Sequence, residues 1–200
     1  MQKEDRMIKA AIFDADDTLI DSLHVWLEAD MEYLKSKGMR FDLQTFEKFK
    51  KMTYGQSISY VKSHFAFDET EEEISAGIME IVMKKYETEV KANDGIKELL
   101  QRLLDNGIKM AVATSNDRKL ISRALRNTGL RRYFSFVATC DETGYGKDDA
   151  GVYIKVAEML GVEPSETLVV EDDREYVSAA KEKGFVAIHI SDIGRFGFGK

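Results

Sequence analysis

Two aspartates, two positions apart, follow a short and mostly apolar segment near the start of the chain. The run from Ile8 to Phe13 predicts a buried strand, and Asp14 and Asp16 come directly after it. A carboxylate can attack phosphorus and form an aspartyl-phosphate, while a second carboxyl protonates the leaving oxygen and then deprotonates water. The alternative is an Asp-rich turn that caps a helix. The preceding strand and the following Thr18-Leu19 favour the catalytic interpretation.

A second acidic group, Glu171-Asp172-Asp173, ends another predicted strand. Taken alone, such a group is typical of a helix N-terminus, where acidic side chains are favoured. Carboxylates gathered from two strand ends would oppose each other's ionisation, and a divalent cation relieves that repulsion. Magnesium prefers oxygen ligands. We therefore expect magnesium held by Asp14, the backbone carbonyl of Asp16 and Asp172, with Glu171 close to the metal.

Two further polar groups could hold a phosphoryl group. Thr114, Ser115 and Asn116 follow a predicted strand, and their hydroxyl and backbone N–H groups could bind phosphoryl oxygens. Lys147 lies in a loop with two glycines and could neutralise the transferring phosphoryl group. Each has a simpler explanation. Asn116 could serve simply as a helix cap, and Lys147 could be an ordinary surface lysine.

The elements that would position these residues alternate between strand and helix, which predicts an α/β fold. We expect an α/β core, a parallel sheet with helices on both faces, formed by residues 1–20 and 92–200. Residues 21–91 show helical periodicity without a convincing strand, and Thr70 with Glu73 resembles a capping box. This stretch predicts an inserted all-helical cap domain. Open α/β sheets bind ligands at the carboxyl ends of their strands, which is where the two acidic groups and the Thr114 group lie.

The order of these groups along the chain resembles the four motifs of the haloacid dehalogenase (HAD) superfamily. FDADDTLIDS resembles motif one, MAVATSN motif two, GYGKDDAGVY motif three and TLVVEDDREYVSAAKEKGF motif four. The sequence is similar to the branch of β-phosphoglucomutase-like and phosphoglycolate-phosphatase-like enzymes, over nearly the whole chain. The resemblance implies a Rossmann-like core, a helical cap after motif one, magnesium and a phosphoaspartate intermediate.

Matching positions to motifs implies a role for each residue. Asp14 matches the nucleophile and Asp16 the general acid/base. The remaining matches are to the phosphate-binding pair and the metal-binding pair of the family: Thr114, Lys147, Glu171 and Asp172. Four positions depart from the family pattern: Asp17 replaces a glycine, Asp148 and Ala150 replace prolines, and Asp173 replaces a common serine.

The cap is expected to set substrate choice by closing over the site and excluding water. Its candidate substrate-facing residues, each also explicable as packing or surface, are His24, Trp26, Lys50, Lys51, Tyr54, Gln56 and Lys62. In the sugar-phosphate mutase of this branch, a cap arginine grips the distal phosphate. No arginine occurs from Met52 to Ser57, which favours hydrolysis over mutase chemistry.

Composition narrows the function further. The net charge of −7 disfavours a broad nucleic-acid or acidic-membrane surface. The single cysteine, Cys140, excludes an internal disulfide, and no apolar run is long enough for a membrane span. We expect a cytoplasmic protein, monomeric or a weak homodimer, whose partner is a small phosphorylated metabolite and not nucleic acid or membrane.

The leading hypothesis is a magnesium-dependent phosphatase that forms an aspartyl-phosphate on Asp14. One alternative is a sugar-phosphate mutase of β-phosphoglucomutase type, which uses the same intermediate. A phospho-accepting receiver module is disfavoured, because the candidate nucleophile here follows the first strand and an insertion follows it. A catalytically silent phosphate-binding protein would keep the pocket alone.

Overall fold

The computed structural model describes residues 7–39, 45, 48, 49, 52, 54–65 and 68–195. The chain divides into two compact units. One is Ser22–Val90, and the other combines the described residues of Met1–Asp21 and Lys91–Lys200. The first is the helical unit and the second is the α/β unit.

The elements follow one another in the order expected for an interrupted α/β protein. The strands are β1 (Ala10–Phe13), β2 (Ile20–Asp21), β3 (Lys91–Ala92), β4 (Lys109–Thr114), β5 (Val137–Thr139), β6 (Thr167–Glu171) and β7 (Val186–His189). The helices are α1 (Leu23–Ser36), α2 (Tyr54–His64), α3 (Glu71–Thr88), α4 (Ile96–Asp105), α5 (Arg118–Asn127), α6 (Cys140–Thr143), α7 (Gly151–Leu160) and α8 (Arg174–Glu182). Short 3-10 turns span Arg131–Tyr133, Pro164–Glu166 and Ile190–Arg195.

Five parallel strands form the main sheet, in the order β5-β4-β1-β6-β7. Side chains alternate between the two faces of a strand, so Ile12 and Phe13 of β1 point to opposite faces. Both are fully buried, as are residues of both faces in β4 and β6. A parallel sheet buried on both faces is covered by helices on both sides. The predicted Rossmann-like α/β core with an inserted helical cap is confirmed.

One face of the sheet packs against α7 and α8. Ile12 and Val169 belong to the same buried cluster as Val156 of α7 and Ala180 of α8. Alanines at several strand positions of this cluster let the helices approach the sheet closely. The tight packing fixes the strand ends relative to the loops that follow them.

Two local features were not predicted from the sequence. β2 and β3 form a short antiparallel pair, with Ile20 opposite Ala92, which the sequence did not indicate. Aspartate is a favoured N-cap residue, yet Gly95 and not Asp94 occupies the N-cap position of α4, with φ of 74°. A left-handed conformation suits glycine better than aspartate, because glycine has no Cβ.

The helical unit is built from α1, α2 and α3 around a small apolar interior. The predicted capping box is present: Thr70 accepts from the N–H of Glu73, whose side chain accepts from the N–H of Thr70. Gly77 lies directly against the Tyr33 ring, where a Cβ atom would come within 2.4 Å of a ring carbon. A glycine is therefore required at this crossing of α1 and α3.

An ion-pair group also joins α1 to α3. The ammonium group of Lys85 lies 3.0 Å from carboxylate oxygens of both Glu28 and Glu89, and 3.8 Å from Glu32. Several charges sharing one partly buried lysine stabilise more than an isolated surface pair. Across the described parts of the chain, every helix is too short or too polar to cross a bilayer.

Candidate active site

The strand order brings the ends of β4, β1 and β6 side by side. Phe13 pairs in register with Val112 on one side and Val170 on the other. The next residue, Asp14, therefore lies between the end of β4 and the end of β6, and its N–H donates to the Val170 carbonyl at 3.0 Å. The residue is only 5% exposed. A buried carboxylate at this position needs cationic partners.

Lys147 supplies one of these partners. It is 6% exposed, and its ammonium group forms ion pairs with Asp14 and with Glu171, the latter at 2.8 Å. The alternative interpretation of Lys147 as an ordinary surface lysine is therefore wrong. Burial alone would lower the pKa of Lys147, but the charges of Asp14 and Glu171 outweigh it and hold that pKa above its usual range. Lys147 provides a fixed positive charge beside Asp14.

Three carboxylates converge at this edge of the sheet. One oxygen each from Asp14, Glu171 and Asp172 lie within 4.8 Å of one another. The second carboxylate oxygen of Glu171, Oε2, is buried and has no hydrogen-bond partner among the described residues. A buried carboxylate oxygen without a donor fits a metal ligand, and an all-oxygen set fits a hard cation such as magnesium.

The ionisation of these carboxyls is disfavoured in the protein alone. Burial raises the pKa of Asp14 above its usual value, and the neighbouring Glu171 and Asp16 raise it further, while Lys147 lowers it. Burial also raises the pKa values of Glu171 and Asp172. One lysine does not offset three gathered carboxylates, and a divalent cation would favour their ionised forms.

Asp16 is hydrogen-bonded to the segment that follows β4. The side-chain amide of Asn116 donates to Asp16 Oδ2 at 3.0 Å. The other end of the same amide accepts from the N–H of Asp117, which fixes its orientation. We expected Asn116 to bind phosphate or cap a helix. The N-cap of α5 is Asp117, so the simple capping explanation is wrong. Coordination through the Asp16 backbone carbonyl stays a prediction.

The two hydroxyls that end β4 and follow it have different surroundings. Thr114 is buried, and its hydroxyl oxygen accepts from the N–H of Asn116 at 3.1 Å, which leaves its hydrogen available to another acceptor. Ser115 is exposed, and its hydroxyl lies 3.5 Å from the sulfur of Cys140. The surroundings of Thr114 match the predicted phosphate contact better than those of Ser115.

Asn93 holds the turn that follows Asp14, and sequence reasoning missed it. Its side-chain amide donates to the carbonyls of Asp17 and Thr18, at 2.9 and 3.0 Å. Its backbone N–H donates to the Leu19 carbonyl at 3.0 Å. Three hydrogen bonds from one residue fix the loop that carries Asp16. An asparagine just after a short strand carries no pattern that would have revealed this role.

Two tyrosines also surround the charged group. The Tyr153 hydroxyl donates to Glu171 Oε1 at 2.5 Å. The ammonium group of Lys147 lies 5.5 Å from the centre of the Tyr176 ring, within the range of a cation–π contact. Tyr153 has the helical spacing of an ordinary core residue, so the sequence indicated only packing.

Three of the four departures from the family pattern lie at positions whose local structure bears on the change. Asp17 and Ala150 both adopt left-handed backbone conformations, with φ of 54° and 60°. Glycine, the family residue at position 17, adopts that conformation without strain, and proline at position 150 could not adopt it. Asp173 is the N-cap of α8, and its carboxylate accepts from the N–H of Glu175. Serine can fill the same capping role.

Three of the candidate substrate-facing residues contact other residues of the helical unit. Trp26 donates to the Tyr86 hydroxyl at 3.1 Å and packs edge-on against the Tyr54 ring. Tyr54 is hydrogen-bonded to Ser75, and Lys62 donates to the carbonyl of Glu69. His24 and Gln56 are exposed, and Lys50 and Lys51 lie outside the described residues. Packing is the better explanation for Trp26.

Several known proteins are similar to this chain in sequence. Residues 11–190 match the family model of haloacid dehalogenase-like hydrolases. The phosphorylated carbohydrates phosphatase of Thermotoga maritima is 26% identical over 91% of this chain and 84% of its own length. Phosphoglycolate phosphatase 1 of Pseudomonas aeruginosa is 26% identical over 90% of this chain and 68% of its own length.

A solved structure shows the same fold. The protein from Thermotoga maritima that is provisionally assigned as a β-phosphoglucomutase superposes with a TM-score of 0.82, at 24% identity, over 93% of this chain and 96% of its own. The predicted branch and the predicted enzyme class, a HAD-like phosphatase, are both confirmed. On the family match and the shared fold together, this chain belongs to the haloacid dehalogenase-like hydrolase family.

Proposed function

We propose that the protein is a magnesium-dependent phosphatase that hydrolyses a small phosphorylated carbohydrate through an aspartyl-phosphate on Asp14. The observation that carries the proposal is the position of Asp14. It is buried at the end of β1, paired with Lys147 and within ligand distance of Glu171 and Asp172. A nucleophile, a fixed positive charge and a cation site thus share one strand edge.

The first half-reaction forms a bond between an Asp14 oxygen and phosphorus. The bond between phosphorus and the ester oxygen breaks, and the Asp16 carboxyl gives its proton to the leaving alcohol. In the second half, ionised Asp16 takes a proton from water, which attacks the phosphorus and releases inorganic phosphate from Asp14. The amide of Asn116 holds the Asp16 carboxyl in place for both transfers.

Charge neutralisation accompanies both steps. The Lys147 ammonium group would contact phosphoryl oxygens, and the Thr114 hydroxyl can donate to another. Asp14, Asp172 and Glu171 would hold magnesium, with the Asp16 carbonyl as a further ligand. When bound, magnesium supplies positive charge that favours ionised Asp14 and offsets the charge of the phosphoryl group.

A carbohydrate substrate is supported by the T. maritima relative, which is named for phosphorylated carbohydrates. The provisional β-phosphoglucomutase with the same fold makes a sugar-phosphate mutase the second candidate. A mutase returns the phosphoryl group from aspartate to a sugar, and exchange of label between sugar positions would reveal it. The absence of arginine from Met52 to Ser57 favours hydrolysis. Action in the cytoplasm, as a monomer or weak homodimer, belongs to the same proposal.

The test is phosphate release from a panel of sugar phosphates and other small phosphomonoesters, with magnesium and with a chelator. Asp14→Asn should abolish release without loss of fold, because an amide is not a competent nucleophile. The matched control is Asp105→Asn, an exposed aspartate at the end of α4, which should keep wild-type turnover. Full turnover in Asp14→Asn would overturn the assignment. Exchange without release would favour the mutase.

A further inference from the structure

Glu171 is the most deeply buried acid of the candidate site, and its two oxygens have different surroundings. It is fully buried. Oε1 contacts the Lys147 ammonium group at 2.8 Å and accepts from the Tyr153 hydroxyl at 2.5 Å. Oε2 has no hydrogen-bond partner among the described residues. Both donors therefore bind Oε1, while Oε2 accepts no hydrogen bond from the described residues.

This division leaves Oε2 available to a ligand. A carboxylate that could rotate would exchange its two oxygens between the donors and the cation. Two donors on Oε1 oppose that rotation, because turning the group away would leave the buried Tyr153 hydroxyl without its acceptor and break the ion pair between Glu171 and Lys147. We propose that Tyr153 is a positioning residue that holds Glu171 so that Oε2 serves the divalent cation; the inference rests on the proposed magnesium site.

The position of the Tyr153 hydroxyl is itself fixed by the core. Tyr153 lies in the first turn of α7 and is fully buried. Its ring packs edge-on against Phe185, with 6.3 Å between the ring centres. The ring also belongs to the cluster that joins α7 to the sheet. A ring held on several sides presents its hydroxyl in one direction.

The connection between Lys147 and Tyr153 explains how both reach the same oxygen. The N–H of Ala150 donates to the Lys147 carbonyl at 3.0 Å, and the N–H of Val152 donates to the Gly146 carbonyl at 3.0 Å. These bonds close a tight turn before α7, so the lysine before the turn and the tyrosine after it both point at Glu171. Outer partners that orient metal ligands typically change metal affinity 10–100-fold when removed.

The experiment measures Mg²⁺ binding by calorimetry to chelator-stripped protein without substrate. We expect Tyr153→Phe to raise the Kd for Mg²⁺ about tenfold, since only the hydroxyl is removed. Tyr153→Leu, which also removes the ring, should show a similar increase in Kd but a larger loss of thermal stability. The control is Tyr86→Phe in the helical unit, an equally buried tyrosine that accepts from Trp26.

The outcomes separate this inference from the proposed function. A Kd unchanged in Tyr153→Phe overturns the positioning role, as does an equal increase in Tyr86→Phe. Wild-type protein that binds no Mg²⁺ overturns it together with the magnesium site. Wild-type protein that binds Mg²⁺ but releases no phosphate contradicts the proposed function alone, because the binding measurement involves no turnover.

Discussion

Ala150 shows how one backbone conformation shapes the candidate site. Its φ of 60° is unusual for a residue with a Cβ and no polar side chain. The residue is fully buried, and its N–H closes the turn to Lys147. Asp17 shares the left-handed conformation, but aspartate tolerates it better, because its short polar side chain can bond locally. The strained residue Ala150 therefore lies in the turn that positions Lys147 and Tyr153.

We expect Ala150→Pro to lower the free energy of unfolding by about 3 kcal/mol or more, although proline is the usual family residue here. Proline fixes φ near −65° and removes the N–H that bonds to Lys147. Urea denaturation would measure the change. Ala150→Gly is the control, since it removes the methyl group but keeps both the N–H and the positive φ. Equal losses in the two variants would show that methyl packing matters and the backbone does not.

At the level of single residues, the sequence indicated which residues could belong to the site, but not which of them are in contact. It singled out Asp14, Lys147 and Glu171, and the structure brings these three together. It did not indicate that Tyr153 and Asn93 contact the same group of residues. Their hydrogen bonds join segments far apart in the chain, and such pairings leave no periodic pattern in one sequence.

Among the elements, α1 carries an unusual buried acid. Asp30 is 7% exposed, and its Oδ1 has no hydrogen-bond partner among the described residues. Burial raises its pKa to about 7, and an interaction with Ser57 lowers it in part. A carboxyl in the unfolded chain ionises near pH 4. As the pH rises from 4 to 7, ionisation therefore favours the unfolded chain, and this residue costs stability above pH 7.

We expect Asp30→Asn to be more stable than the wild type at pH 8, by about 2–4 kcal/mol, with the difference vanishing near pH 4. The amide has nearly the shape of the carboxyl and carries no charge to desolvate. Urea unfolding at several pH values would measure the difference. Asp68→Asn, at an exposed aspartate of the same unit, should show no such trend. A pH-independent difference for Asp30→Asn would contradict the buried-charge explanation.

Element boundaries were predictable where a local pattern decides them. The Thr70–Glu73 capping box and the buried runs of β1, β4 and β6 are local, and the structure contains all of them. The β2–β3 pair was not predictable, because two-residue strands have no period and pair across the whole helical insertion. The start of α4 was not predictable to within one residue, because Asp94 and Gly95 are both common N-cap residues.

At the scale of the whole molecule, the net charge is −7, and the fold concentrates part of the negative charge at one place. The parallel sheet brings acids from distant parts of the chain to adjacent strand ends, where Asp14 and Glu171 are buried and Asp172 is exposed. Gathering like charges costs folding free energy, and this cost is what makes the edge of the sheet a cation site. Any ion bound there must stabilise the folded chain.

We therefore expect Mg²⁺ to raise the unfolding temperature until the site is saturated, and a chelator to reverse the rise. At a hundredfold excess of Mg²⁺ over Kd, the free energy of unfolding should increase by about 2.7 kcal/mol. Differential scanning fluorimetry would measure it, with NaCl at equal ionic strength to account for screening. Asp172→Asn should lose most of the Mg²⁺ response, while Asp105→Asn keeps it. A rise that NaCl reproduces, or that Asp172→Asn retains in full, would place the effect in general screening of the acidic surface and not in a site formed by the strand ends.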